Sequence, residues 1–247
     1  MRLPTWSSLV LLGSLSTPAE TAGQDAPTPV TFSGSVAVVS DYAFRGVSQT
    51  LEDIAVQGGI TGASTAGLYL GLWGSSLNFG EATAADRAHT EIDAFGGLKR
   101  NVAGVDADLG FVYYAYPGTT DSYDYNFLEL ALGLSRAFSG VSTGAKVAFS
   151  PDYFAASGSA TYLSGSLGFA VPSAPVSLLG TLGHQSIEEN AAFGTPDYTD
   201  WSAGASLSAA GVSIGITYVD TDLAKTDCFA GADLCAPRVV FSVARGM

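Results

Sequence analysis

The chain has 247 residues, Lys+Arg 10 against Asp+Glu 23 for a net charge of −13, and hydrophobic residues at 47% beside charged residues at only 13%. That charged share is about half of what covers an ordinary soluble domain. No run reaches the 18 or so uninterrupted apolar residues of a spanning helix, and the acidic balance without a basic patch excludes a nucleic-acid backbone as partner.

A closed sheet is the other structure that satisfies every backbone group inside hydrocarbon, and its signature is alternation. The 30 glycines and 11% aromatics suit it. At the N-terminus, Arg2, an apolar stretch from Leu9 to Leu15 and the small residues Thr17-Pro18-Ala19 and Thr21-Ala22-Gly23 predict a secretory signal over residues 1–24, cleaved between Ala19 and Gln24. Residues 25–29 read as a short linker, and residues 30–247 as one barrel domain.

Twelve period-two stretches follow in chain order. The first, Val30 to Arg45, sets Val30, Phe32, Val36, Val38, Tyr42 and Phe44 against Thr31, Ser33, Ser35, Asp41 and Arg45. Ile54 to Ala63 comes next, then Leu68 to Asn78, which is apolar on both sides and ambiguous in facing. His89 to Lys99 places Glu91, Asp93 and Lys99 opposite Ile92, Ala94 and Leu98, and Val105 to Tyr116 places Asp106 and Asp108 opposite Leu109, Phe111 and Tyr113. Asp124 to Ser135 opposes four leucines to Glu129, and Val141 to Ser150 opposes Val147 and Phe149 to Lys146. The remaining stretches are Ala160 to Val171, Val176 to Ser186, Tyr198 to Ser208, Val212 to Thr221 and Arg238 to Arg245. A charge on the lipid face costs up to about 2–4 kcal/mol, so the shared parity of these charges assigns the lumen.

Connections after even-numbered stretches are short and those after odd-numbered ones long. This predicts an all-β, transmembrane, antiparallel up-and-down barrel of about 12 strands with short periplasmic turns and longer extracellular loops. A barrel of that size leaves a narrow or partly plugged lumen.

By parity the lumen carries Asp41, Glu91, Asp93, Asp106, Asp108 and Glu129 against Arg45, Lys99 and Lys146. Carboxylate rings favour cations, so a weak cation preference is expected; the alternative is that these charges pair across the barrel as braces. Asp41 and Arg45, on one face at the outer end of the first strand, either line a mouth or anchor the loop from Gly46 to Asp53, and anchoring is preferred. Tyr42, Phe44, Trp73, Tyr113 and Trp201 are expected to form an interfacial girdle rather than a stacking platform.

Cys228 and Cys235 are spaced to close one small loop, and export would permit the disulfide. The only histidines, His89 and His184, are far from them in sequence, so no metal site is expected. His184 and Ser186 share a lipid-facing parity, similar to the pair used by outer-membrane phospholipases. No Asn or Asp orienter can be placed, and an enzyme is not expected. With no glycine-rich phosphate loop, no cofactor is expected either.

The run Ser40-Asp41-Tyr42-Ala43-Phe44-Arg45-Gly46-Val47-Ser48-Gln49-Thr50, followed by Ala55-Val56-Gln57-Gly58-Gly59, resembles the opening signature of the TorF-type family of porins. Ser150-Pro151-Asp152-Tyr153-Phe154, Tyr198-Thr199-Asp200-Trp201 and Tyr218-Val219-Asp220-Thr221-Asp222 extend the resemblance over most of the chain. It implies an outer-membrane location, outer-membrane lipid and small solutes or ions as partners, and a passive pore with no known substrate. Barrels of this kind commonly finish on an aromatic residue read by the barrel-assembly machinery. This sequence reads Arg245-Gly246-Met247 there, leaving Phe241, or a tail that overruns the last strand, to account for it. A non-conducting adhesion or structural barrel, acting through the acidic loops from Gln185 to Asp197 and Asp220 to Pro237, is the alternative function.

Overall fold

The computed structural model describes residues 30–81 and 87–247. The expected signal over 1–24 and linker over 25–29 lie outside them. The strands are β1 (Thr31–Val39), β2 (Ala43–Phe44), β3 (Val47–Ser48), β4 (Ala55–Ala63), β5 (Leu68–Ser76), β6 (Thr90–Val102), β7 (Val105–Ala115), β8 (Phe127–Phe138), β9 (Val141–Ser150), β10 (Ala160–Ala170), β11 (Val176–Ile187), β12 (Tyr198–Ala209), β13 (Val212–Thr221) and β14 (Arg238–Gly246). Among the described residues helix is confined to short turns, the longest being α1 (Asn190–Phe193), and no helix there is long and apolar enough to cross a membrane.

Twelve of these strands form one closed antiparallel barrel, in which β1 pairs with β4 on one side and β14 on the other; β2 and β3 form a separate small hairpin. Closure leaves no sheet edge unpaired, the condition for a sheet in hydrocarbon. Alternation fixes the faces: Phe32, Leu70, Leu109, Leu132, Leu163 and Phe241 point outward into an apolar band, while Gln57, Glu91, Asp93, Glu129 and Gln185 are buried within. The ambiguous stretch resolves the same way, with Leu68, Leu70 and Leu72 outward and exposed and the side chains of Tyr69 and Trp73 inward.

The short connections are tight hairpins. Ala103 and Gly104 both hold positive φ (54° and 82°), as do Ser139 and Gly140, and Ala210 and Gly211, the conformation whose twist matches flanking strands. Both described ends of the barrel sheet lie at this end, since Thr31 pairs with Ala63 and Ser35 with Gly246.

Several boundaries shift from the sequence reading, β6 running on to Val102 and β5 stopping at Ser76, and two of the shifts bear on the lumen. The first strand ends at Val39, not Arg45, because Arg45 takes φ 49° and the chain turns into the lumen. Tyr42, Phe44 and Trp73 therefore pack inside the barrel instead of forming a lipid girdle; Tyr42 and Trp73 meet edge to face at 5.5 Å. The sixth barrel strand begins at Phe127 rather than Asp124, which sits at φ 49° after a 3-10 turn over Asp121–Tyr123. Tyr113 keeps the exposed outer position expected of it, whereas Trp201 on the same face is half-buried.

The core lies in the long-loop half of the lumen. Leu77, Val112, Tyr114, Tyr116, Phe127, Tyr153 and Ile187 make one cluster, Val39, Tyr42, Ala55, Val219 and Val240 a second, and Val47, Tyr198, Cys228 and Cys235 a third. Towards the short turns the wall carries small or polar side chains such as Ser35, Thr61, Ser164, Thr181 and Ser202, beside the inward pair Tyr69 and Phe95.

Candidate functional site: a hairpin folded into the lumen

The segment between β1 and β4 doubles back on itself. The carboxylate of Asp41 accepts hydrogen bonds from the hydroxyls of Ser48 (2.6 Å) and Thr50 (2.8 Å), and the backbone N–H of Gln49 donates to the carbonyl of Tyr42 at 2.7 Å. These bonds close the base of the β2–β3 hairpin and project Arg45 and Gly46 across the barrel.

Arg45 is the tip. Its Nη2 donates to both Glu129 oxygens at 2.7 Å and its Nη1 to the Gln185 side-chain oxygen at 2.6 Å, so two walls of the barrel are bound by one guanidinium. The planar group also lies 4.2 Å from the ring centre of Tyr162 and 4.7 Å from that of Phe44, a geometry in which the ring quadrupole favours the cation. Tyr114 donates to Glu129 at 3.2 Å, and Tyr162 donates to Asp200 at 3.0 Å. Tyr162 reaches Asp200 by crossing Gly183, where any Cβ would stand 2.0 Å from its hydroxyl.

A second arginine holds the hairpin from the opposite side. Arg238 Nε is hydrogen-bonded to Asp41, and its Nη2 donates to the carbonyl of Gly46 at 3.1 Å. Gly46 has φ +81°, and a Cβ there would meet the Thr221 methyl at 2.4 Å and the Asp200 Cβ at 3.0 Å. Only glycine fits the tip at that approach. The loop before β14 braces β3, with Ser48 N–H donating to the Leu234 carbonyl at 2.8 Å. That loop is itself cross-linked by the bond between Cys228 and Cys235, whose Cα atoms are 6.0 Å apart.

The residues selected from sequence thus divide into three groups. Asp41, Arg45 and Glu129 are bound within the hairpin and its anchors. Glu91 and Asp93 are buried beside its base, Glu91 accepting from the Tyr42 hydroxyl at 3.4 Å. Lys99, Asp108 and Lys146 lie nearer the short turns: Lys99 and Asp108 pair at 3.6 Å, and Tyr69 donates to Asp108 at 2.7 Å. Asp106 is exposed at the rim and accepts from Asn101 at 2.7 Å. Asp41 and Arg45 share a hairpin, not a strand face.

Outside the strands, burial pushes the Tyr125 phenol up to about 12, and raises that of Tyr153, which lies beside Arg45. Donation from the Ser159 backbone N–H (2.9 Å) and hydroxyl (2.8 Å) holds the exposed Glu188 carboxylate below its ordinary range.

Sequence reasoning did not single out Gln185, Asp200, Tyr114 or Arg238 as partners. A signal existed: Gln185 and Asp200 fall at lumen parity within apolar strands, where an uncompensated polar group needs a partner. The partner of Gln185, Arg45 on a loop folded inward, leaves no such trace. His184 is exposed on the outer face and hydrogen-bonds Thr199 at 3.1 Å, not Ser186.

Solved structures of porins share the fold. The KdgM porin in complex with disordered oligogalacturonate has a TM-score of 0.56 at 7% identity, covering 87% of this chain and 98% of that one. The NanC porin has a TM-score of 0.56 at 8% identity, with coverage of 87% and 98%. No curated relative matches the sequence. Residues 23–247 match a family described as "Bacterial protein of unknown function (Gcw_chp)". The chain belongs to that family, and its fold is the closed antiparallel barrel seen in outer-membrane porins.

Proposed function

We propose that the protein is an outer-membrane channel for small hydrophilic solutes and ions whose outer mouth is closed by the β2–β3 hairpin until that hairpin moves. The observation that carries this reading is the division of the lumen: small and polar side chains, with the Tyr69–Phe95 pair, line the short-turn half, while the long-loop half is filled by a hairpin attached through side chains.

On this reading residues 1–24 direct export, the barrel-assembly machinery inserts the chain, short turns face the periplasm and acidic loops face outward. The TorF-type resemblance of residues 40–50 falls on the hairpin itself, so the signature of that family corresponds here to the plug. Ion preference follows the charge that the braces leave: Asp41 and Glu129 are neutralised by arginines and Asp108 by Lys99, so it rests on the acidic outer loops, with Asp121, Asp124, Glu188, Glu189 and Asp222. The open channel is therefore cation-preferring. Oligogalacturonate, named with the KdgM porin, is a polyanion and the wrong sign for such a channel.

Planar-bilayer recording of the refolded protein with a salt gradient tests this. Brief, infrequent steps in wild type, longer openings in Arg45→Gln, and a reversal potential of cation sign are expected. A folded Arg45→Gln barrel that never conducts would sink the channel in favour of a structural or adhesive barrel acting through its loops. Purified protein without lipid hydrolysis would dismiss a role for His184 and Ser186.

A further inference from the structure

We infer that Glu91 and Asp93 form an oxygen-ligated site for a hard divalent cation, of the calcium type, inside the barrel at the base of the hairpin. The two residues are spaced to place both side chains on the lumen face of β6, and their relative exposures are 1% and 0%. Glu91 accepts from the Tyr42 hydroxyl and has Tyr116 as a further partner, whereas Asp93, whose two oxygens have no donor among the described residues, faces the carboxyl of Glu91. Every other carboxylate in this half of the lumen is answered: Asp41 and Glu129 by arginines, Asp200 by Tyr162. Orphaned buried carboxylate oxygens are too costly to leave without a partner.

Two facing buried carboxyls with no ion pair among the described residues hold either a proton or a cation between them, and the experiment below separates the two. The surroundings suit a hard ion, which takes oxygen ligands and no nitrogen. Ser75 is the cross-strand partner of Glu91, and Gln57 of Ser75. Gln57 turns its Nε2 towards the Ser75 hydroxyl at 3.3 Å. No three of His, Cys, Asp and Glu converge among the described residues, so two carboxylates supply the charge and neutral oxygens and water complete the shell. The site bears on the hairpin directly, because Tyr42 at its base both donates to Glu91 and packs on Trp73. It does not depend on conduction.

Terbium is the probe, since it takes calcium's oxygen ligands and luminesces when excited through a nearby indole or phenol, here Trp73 and Tyr42. The protein is refolded in detergent with terbium present, so access past the hairpin is not an obstacle, and folding is checked by heat-modifiable gel migration. One saturable site with sensitised emission, displaced by calcium, is expected. Asp93→Asn and Glu91→Gln, which keep shape and remove charge, should each weaken it at least tenfold, whereas the exposed loop pair Asp121→Asn/Asp124→Asn should leave it unchanged. Folded wild-type barrels without saturable sensitised emission, or equal affinity in Asp93→Asn, would overturn the site and leave the carboxyls holding protons. Because the readout is luminescence, its failure is separate from a failure of the channel, which bilayer recording reports.

Discussion

Arg45 and Glu129, 84 residues apart in sequence, meet inside the barrel through two hydrogen bonds of 2.7 Å with both side chains 3% exposed. One comes from the tip of a hairpin and the other from the wall, so the pair ties the inward loop to the barrel. A buried pair is poor evidence of net stability, but removing one partner alone typically costs about 3–5 kcal/mol. Arg45→Gln and Glu129→Gln should therefore each shift the undocked population of the hairpin by about two to four decades. Amide exchange at Val47 and Ser48 should accelerate accordingly while strand amides stay protected. The double replacement Arg45→Met/Glu129→Leu should recover much of that protection, and equal exchange in all variants would show that Arg45 holds nothing.

Gly46 gives a test that leaves every charge in place. Alanine there adds a left-handed backbone cost of about 1–2 kcal/mol and an overpacking cost of about 1–3 kcal/mol, since the methyl would meet Thr221 at 2.4 Å. Gly104→Ala is the control: its φ is +82°, but the nearest atom to its Cβ is at 4.0 Å. Gly46→Ala should lengthen channel openings; Gly104→Ala should lower stability slightly without changing them.

The Cys228–Cys235 loop supports β3 through the bond from Ser48 to Leu234 and through packing of Val47 in the same cluster. Reduction, or the double Cys→Ser variant, should leave the barrel heat-modifiable and intact yet raise both channel openings and protease cleavage between residues 225 and 237. Disulfides closing short loops are worth about 2–4 kcal/mol to the segment they constrain. Unchanged cleavage would mean that the neighbouring contacts suffice.

Glu188 predicts a local pH dependence. Its folded carboxyl is depressed by two donors on Ser159, so the contact contributes fully above the unfolded glutamate pKa of about 4.3 and is lost as pH falls through the lower folded value. Exchange at the Ser159 amide, corrected for its intrinsic pH dependence, should rise only below about pH 4. In Glu188→Gln it should be raised and flat with pH. A wild-type profile with no step there would contradict the assignment.

How much of this was legible in the sequence follows from the range of the interactions. Alternation is a local property of the pleat, so the side facing lipid was readable strand by strand from Leu109, Leu132, Leu163 and Phe241, and so was the contrast between short turns and long loops. The same alternation misled at Tyr42 and Phe44, because an apolar residue buried in a plug and one exposed to lipid give the same pattern. The charges at Asp41, Arg45 and Glu129 were readable as facing inward, but their partners Arg238 and Gln185 lie 197 and 140 residues away from Asp41 and Arg45. Pairing at that separation depends on where the closed barrel brings its walls and on one loop turning inward at Arg45. Sequence by itself determined a barrel with a polar interior; only the tertiary structure decided that its mouth is filled, because that outcome rests on contacts between segments that share no local pattern.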